Sequence, residues 1–232
     1  MAVGINKVYN KVLAIANKEQ RGYIVPQEFN LFADLAQMEI FEQYFYDKNQ
    51  FMRVNSNDGE YSDVIHNLNE KIAVFERSTT INPNGSISAN DFYRLGTVID
   101  GTQTILEEVE RHELLYMNKS PLIAPSVTRP VYVRYSSSSL GTIIEVYPSS
   151  ITGLTCTYIK KPTKPQWGYV VINDRAMYDG DSSVTTNFEL HASEENELVY
   201  KILKLAGVSM KRDDMTTAGQ GLESMQIQQE KQ

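Results

Sequence analysis

The segment 18–51 constrains the fold more than any other part of the chain. It contains a turn and then Pro26, at a position where a helix can begin without losing an amide hydrogen bond. Apolar residues follow on one side of the predicted helix and recur on another: Phe29, Phe32, Ala36 and Ile40, then Leu31, Leu35, Met38, Phe41 and Phe45, with Tyr44 and Tyr46 between them. A helix that is apolar on nearly all sides is buried among several neighbours. We therefore expect a second subunit to complete this burial, with Phe29, Phe32, Phe41, Tyr44 and Phe45 at the interface.

Length and charge restrict the class of protein. The chain has 232 residues and a net charge of -7, which indicates one or two modest domains and argues against a protein that reads nucleic acid through a basic face. The charge is compatible with a DNA channel, which must not hold phosphates tightly. The one cysteine, Cys156, excludes an internal disulfide and is expected to be a small core residue.

Targeting signals are not apparent in the sequence. The N-terminus has no apolar run typical of a signal peptide, and no stretch approaches the roughly 18 apolar residues of a membrane span. We expect a soluble protein that is made in the cytoplasm and has no membrane partner.

Helical periodicity predicts a first helix at 5–17 and, after a break at 17–22, a second helix from Pro26 that pairs with the first. A polar loop at 53–62 is followed by a third helix at about 63–75 and a fourth at roughly 104–117. A C-terminal helix is expected to be capped by Ser193 and to end at Gly207. The residues from Asp213 onward carry few apolar groups. They are expected to be disordered, a frayed helix, or ordered on a partner.

Strand periodicity occupies the middle of the chain. Asn84-Gly85 is a candidate tight turn between short strands, and a serine-rich hairpin tip is expected at 136–139. A separate strand is expected at 92–99. From Arg129 onward the alternating segments are 131–135, 142–147, 154–159, 169–172 and 187–190, which together predict an antiparallel meander.

These elements predict an α+β fold: an N-terminal helical hairpin or bundle, a central antiparallel β-sheet or small barrel, and a C-terminal helix. The corresponding portions are 1–125, mainly helical with a short β-hairpin insertion; 126–192, antiparallel β; and 193–232, a C-terminal helix with a partner-dependent tail. We expect them to form one integrated unit.

Patterns that would carry catalysis or metal binding are weak. His66, His112 and His191 are isolated, and no zinc, phosphate-loop or nucleophile-elbow motif occurs. The turns at 80–91 and 179–181 faintly resemble calcium loops, but ordinary turn chemistry explains them better. Glu194 and Glu195 are adjacent on a predicted helix, so they point apart and are expected to stabilise its dipole. The sequence thus predicts no enzyme, no cofactor and no metal site.

Two segments resemble a known family. GYIVPQEFN with AQMEIFEQYFYDKNQ, at 22–30 and 36–50, is similar to the N-terminal segment of a family of structural proteins of tailed bacteriophages, including crAss-like and other short-tailed phages. A second segment, 177–211, is similar in its tyrosine and aspartate turn, its Phe-Glu-Leu strand and its Ser-Glu-Glu helix start. The two segments lie at the two ends of the chain and in the same order as in that family.

The resemblance implies a head-to-tail connector protein of the virion. Such chains form a closed ring, matched to the twelvefold portal, that joins the DNA-filled head to the tail and extends the DNA channel. The implied partners are further copies of the chain, the portal protein, neighbouring tail ring proteins and packaged DNA that passes through the lumen without specific binding. The implied location is the head–tail junction of the virion, after assembly in the bacterial host cytoplasm.

Three alternatives remain open from the sequence. The chain could be another virion ring or a tail-tube or baseplate component, since these share the need for β-rich subunits that stack. A virion-associated hydrolase would need convergent carboxylates or a Ser/His pair. A carbohydrate- or protein-binding module would need an exposed aromatic platform, for which Trp167 is the candidate; Trp167 could equally anchor a loop to the core.

Overall fold

The computed structural model describes residues 3–16, 24–53, 59–137, 141–173, 175–181, 183–209 and 213–230. The turn expected at 17–22, residues 54–58 of the loop expected at 53–62, and the end of the expected serine-rich tip lie outside these residues. Residues 59–62 of that expected loop belong to a helix. The chain divides into two compact units: unit 1 comprises Met1–Val74 and Pro162–Gln232, and unit 2 comprises Phe75–Lys161. The portions expected from the sequence instead meet at 125/126 and 192/193.

Unit 1 contains all but one of the α-helices in the described part of the chain: α1 Ile5–Ala16, α2 Pro26–Arg53, α3 Gly59–Ala73, α5 Glu195–Ser209 and α6 Asp213–Glu230. The mixed α+β class, with N-terminal helices and a C-terminal helix, is confirmed. Both α1 and α2 pack against α5, and α3 packs against α2. The C-terminal helix α5 is therefore the centre of the bundle, with Leu198 and Ile202 fully buried.

The start and end of α5 differ from expectation. A short 3₁₀ helix, Ala192–Glu194, precedes α5, and its N-cap is His191, whose Nδ1 accepts a hydrogen bond from the Ser193 backbone N–H at 3.3 Å. Ser193 was expected to cap the helix but lies inside this turn. The helix also passes through Gly207, which is buried, and ends at Ser209.

The residues after 212 form a helix that packs on their own chain. In α6, Glu223 is buried and bonds two lysines of α5. The expectation of a tail that depends on a partner is wrong for the described residues of α6, because charged contacts within unit 1 replace the apolar surface that the tail lacks.

Unit 1 also contains one two-stranded antiparallel sheet, in which β7 (Tyr169–Ile172) pairs with β8 (Arg175–Tyr178). The strand expected at 187–190 does not form. That segment makes a single antiparallel bridge between Phe188 and Val3, and its side chains Phe188 and Leu190 are fully buried. Burial rather than strand pairing explains its apolar alternation.

Unit 2 consists of two three-stranded sheets and one helix. Its strands are β1 Glu76–Thr80, β2 Phe92–Ile99, β3 Glu107–Glu108, β4 Val131–Ser137, β5 Gly141–Tyr147 and β6 Thr155–Lys160, and its helix is α4 Arg111–Met117. One sheet has the order β1-β6-β2 and the other β3-β4-β5. The two sheets share a core that contains Val98 and Cys156 of the first and Tyr132 and Ile144 of the second.

The expected meander is therefore wrong beyond its first hairpin. Strands β4 and β5 do pair as expected, from Val131↔Tyr147 to Ser137↔Gly141. Strand β6 does not continue from β5 but pairs with β1 and β2, which come from the portion expected to be helical. Pairing between segments so far apart in the chain leaves no local pattern in the sequence.

The helix expected at 104–117 begins late. The backbone N–H of Leu106 donates to Val98 and that of Val109 donates to Tyr132, so this part is extended between the two sheets. Helix α4 starts only after Glu110, which forms a reciprocal capping box with Glu113. The tight turn at Asn84-Gly85 is confirmed: Gly85 has φ +80° and its N–H donates to the Asn82 carbonyl at 2.8 Å.

Candidate functional site

The acidic turns do not gather ligands for a cation. Asp179 and Asp181 each accept a backbone N–H two residues further on, at 3.0 Å, and the hydrogen bonds from Ser183 lower the pKa of Asp181. In the turn at 80–91, Asp91 instead accepts a hydrogen bond from the Tyr158 hydroxyl at 2.9 Å. Among the described residues, no group of three or more His, Cys, Asp or Glu side chains could hold a metal ion.

The histidines stay apart. His191 caps the 3₁₀ helix, as expected for a structural hydrogen bond near a helix start. His112 lies 3.1 Å from a carboxylate oxygen of Glu110 on the surface of unit 2, and His66 is exposed on α3 of unit 1. None of the three belongs to a group of three or more His, Cys, Asp or Glu side chains that could hold a metal ion, within the part of the chain that the structure describes.

Glu194 and Glu195 form two separate sets of ion pairs, as their divergent directions require. Fully buried Glu194 lies 2.7 Å from Lys71 of α3, while Glu195 lies 2.7 Å from Lys7 and 2.5 Å from Lys11, both on α1. Hydrogen bonds from Lys11 and Lys7 lower the pKa of Glu195. These carboxylates tie α1 and α3 to the start of α5, a role that the sequence did not indicate.

The five aromatic residues expected at a subunit interface lie mostly inside unit 1. Phe29, Phe41, Tyr44 and Phe45 are buried within the single chain, and Phe32 is half-buried. Rings of the same unit contact them: Tyr9 meets Phe29 at 4.8 Å between centroids, and Phe41 meets Phe45 at 5.2 Å. Their burial therefore needs no second subunit. The exposed side of α2 instead carries Leu31 and Leu35.

Two amides on α2 hold the distant segment 163–189 against the bundle. Gln37, fully buried, donates from Nε2 to the Thr163 carbonyl at 2.9 Å and accepts the Glu189 N–H at 3.1 Å. One heptad earlier, Asn30 accepts the Trp167 N–H at 2.8 Å and donates to its carbonyl at 3.3 Å. Sequence reasoning missed both residues, although polar side chains at heptad spacing on an apolar helix were a usable signal.

Trp167 is an anchor and not a platform. Its side chain is 3 % exposed, its Nε1–H donates to Asn6 at 3.1 Å, and its ring lies 4.2 Å from that of Tyr9. The Trp167 ring also stacks with that of Tyr169 and lies beside that of Tyr178, each at 5.8 Å between ring centroids. Trp167 therefore packs against the base of the β7–β8 hairpin. The exposed aromatic surface required by the binding-module alternative is not formed by Trp167.

The β7–β8 hairpin exposes apolar side chains in unit 1. We call the hairpin surface the set Val170, Val171, Ile172, Met177 and Tyr178, all of them exposed. Val170 and Met177 are cross-strand partners on one face, whereas Val171, 61 % exposed, lies on the other. Within the described residues no third strand pairs with either edge. Exposed apolar side chains on strands with unpaired edges can promote contact with other chains, and native proteins usually protect or cover them.

Unit 2 has an exposed apolar surface of its own. We call the α4–β4 surface the set Leu115, Tyr116, Leu122, Ile123 and Val127, which lie on α4 and in the loop that leads to β4. Leu122 is 91 % exposed. Lone apolar residues on a surface are ordinary, but five within thirteen positions make this segment a second candidate contact region.

A groove beside the Asn82–Gly85 turn of unit 2 offers little to a ligand. It has a volume of about 530 Å³ and lies between the Asn82–Gly85 turn, strand β5 and the segment before β6. The side-chain amides of Asn82 and Asn84 bond Ser86 and Ser88 within the turn. Because these polar groups serve the turn itself, the groove has few groups left to orient a bound molecule.

No helix in the described residues is long and apolar enough to cross a membrane. No protein-family model matches the sequence, and no curated protein matches it. The candidate functional site of this chain is therefore a pair of exposed apolar surfaces, one in each unit.

Proposed function

We propose that the chain is a virion structural protein of a tailed phage, which forms a ring at the portal vertex, connects the head to the tail and extends the DNA channel. The observation that carries the proposal is the hairpin surface, where five exposed apolar side chains lie on two strands with unpaired edges. A monomer gains nothing from this arrangement, whereas a subunit that adds strands or packs against a neighbour gains both hydrogen bonds and buried apolar area.

A ring requires two different contact surfaces on each copy. In a heterologous interface one face of a subunit meets another face of the next, and the ring closes if the rotation permits. The hairpin surface of unit 1 and the α4–β4 surface of unit 2 are two such faces with different residues. The resemblance of segments 22–50 and 177–211 to phage connector proteins favours this use of them over other assemblies.

The charge of the chain suits a channel for DNA. Each copy carries -7, so a ring of many copies accumulates negative charge. A lumen that repels phosphates lets DNA slide through, whereas a basic lumen would hold it. The role in this proposal is mechanical and involves no chemical step.

Gold-labelled antibodies on intact and tail-stripped particles, imaged by electron microscopy, test the proposal. Label confined to one vertex, at the junction of head and tail, is the expected result. Label along the tail would instead favour a tail-tube component, and the number of copies per particle separates the two because a tube needs far more subunits than a ring. Label spread over the capsid, or absent from particles, contradicts the proposal.

A further inference from the structure

Among the described side chains of α6, the more buried ones are small or polar. Gly219 and Glu223 are buried, and Thr216 and Gln226 are half-buried, whereas Leu222 and Met225 are exposed. A helix that docks through the hydrophobic effect shows the opposite arrangement, with its apolar stripe inward. Among the described side chains of α6, polar contacts with α5 therefore help to hold the helix in place.

The two helices approach closely at a glycine. A Cβ atom placed on Gly219 would lie 3.1 Å from the Cα of Lys204 on α5, which is tighter than most side chains tolerate. The absence of a side chain at this position lets α6 come near enough for its carboxylate to reach the buried lysine of α5.

Charged groups of three helices meet at this contact. Lys201 of α5, 2 % exposed, lies 2.8 Å from Glu223 of α6, 3.0 Å from Glu39 of α2 and 3.6 Å from Glu197 of its own helix. The second oxygen of Glu223 accepts from Lys204 at 2.9 Å. A buried ammonium group must be neutralised and hydrogen-bonded, and Glu223 supplies part of both.

We propose that α6 is an ionic latch, docked on α5 while the carboxylate of Glu223 is charged and released when that charge is removed. Glu39 and Glu197 still neutralise Lys201 after Glu223 is lost, so the α2–α5 core survives the release of α6.

The titration of Glu223 gives the direction of the pH effect. Burial acts to raise its pKa, but hydrogen bonds from Lys201 and Lys204 outweigh burial and leave the pKa below its ordinary value. The latch is therefore fully present above the unfolded carboxyl value of about 4.3, and it weakens as the pH falls through the lower, folded value.

Hydrogen exchange of the full chain at about pH 7, read by mass spectrometry, tests the latch. We expect Glu223→Gln to speed exchange in 213–230 by about tenfold or more, because it removes two charge-assisted bonds, while α2 and α5 stay protected. Gln228→Glu changes one charge on the exposed side of the same helix and is the matched control, with exchange as in the unchanged chain.

Two results would overturn the latch. If α6 in Glu223→Gln is as protected as before, packing rather than charge holds it. If α2, α5 and α6 lose protection together, α6 is an integral part of the core. Lys204→Gln provides a milder second variant, because Lys204 is partly exposed and its replacement removes only one of the two lysine contacts of Glu223. It must speed exchange in α6 alone, and no change there would also contradict the proposal.

Discussion

Gln37 stabilises unit 1 through its amide rather than through apolar surface. It is fully buried on α2, and it satisfies one backbone acceptor and one backbone donor from a segment more than a hundred residues away. A buried backbone group without a partner costs more than an ordinary hydrogen bond contributes. A single side chain at this position thus decides whether the segment at 163–189 can pack on the bundle.

We expect Gln37→Leu to lower the free energy of unfolding of unit 1 by about 2–3 kcal/mol, because an isosteric apolar side chain leaves both backbone groups unsatisfied. Gln27→Leu, on the exposed side of α2, is the control and should change stability by less than about 0.5 kcal/mol. Denaturant unfolding followed by the fluorescence of Trp167, the one tryptophan, measures both. Equal stability of the two variants would mean that water replaces the lost bonds.

Lys71 neutralises the buried carboxylate of Glu194. Burial acts to raise the pKa of Glu194, but the charge and hydrogen bond of Lys71, with further hydrogen bonds, leave the pKa below its ordinary value. The stabilisation from the ionised carboxylate is therefore present above the unfolded value of about 4.3 and is lost as the pH falls through the lower folded value.

Lys71→Met should destabilise unit 1 by about 3 kcal/mol at neutral pH, since it leaves a buried charge without its partner. The difference from the unchanged chain should shrink in acid, where Glu194 takes up a proton in both. Lys164→Met removes a lysine from the exposed pair with Asp34, 3.9 Å apart, and should cost less than about 1 kcal/mol. A pH-independent difference for Lys71→Met would show that Lys71 acts through packing alone.

At the scale of elements, the β7–β8 hairpin differs from the helices in how its apolar side chains are exposed. Strands β7 and β8 carry apolar residues on both faces, and Trp167 fixes only their base. The apolar residues of α2 are divided differently, because α5 and α3 cover one broad face of the helix and leave Leu31, Leu35, Tyr46 and Met52 exposed. The hairpin is thus the element whose side chains can change with the least effect on the fold.

Val171→Asp should leave the far-ultraviolet circular dichroism and the thermal midpoint of the chain nearly unchanged, since the side chain is exposed. If the hairpin surface joins copies, the same change prevents their association, as seen by mass photometry or by loss of the protein from particles. Arg175→Ser alters the same hairpin without removing apolar surface and should assemble normally. Normal assembly of Val171→Asp would exclude the hairpin as a contact.

At the scale of the whole molecule, unit 2 is a continuous stretch of chain inserted between the two segments of unit 1. Its sheets share a core of six buried side chains, and a second cluster forms around Val131 and Val133. Burial raises the pKa of the Cys156 thiol in the first cluster. A continuous chain with its own core can fold by itself.

We expect the isolated fragment 75–161 to fold, with dispersed amide signals in its NMR spectrum and a cooperative unfolding transition. Cys156, 1 % exposed, should react with a thiol reagent only once the fragment unfolds, because its thiol is inaccessible and poorly ionised. The fragment in denaturant provides the fully reactive control. Immediate reaction without denaturant would mean that unit 2 depends on the remainder of the chain.

Much of the fold could be predicted because local patterns carry it. Period-3.6 repeats located α1, α2, α3 and α5 to within a few residues, and period-2 alternation located the β4–β5 hairpin. The helix expected at 104–117 and the strand at 187–190 failed because burial and strand partners, not local propensity, determine those backbones. The burial of Phe41 and Phe45 within their own unit could not be predicted for a related reason: periodicity identifies an apolar side chain but does not say what covers it.

The sequence by itself determined the α+β class, the positions of most helices and hairpins, and the acidic charge, since these depend on neighbouring residues and on composition. Only the tertiary structure decided that β6 joins β1 and β2, that Gln37 and Asn30 hold a distant segment, and that Glu223 of α6 pairs with Lys201 of α5. Each of these contacts joins residues separated by many positions. Such contacts are selected by the free energy of burying and pairing groups in the complete fold, which no local window of sequence contains.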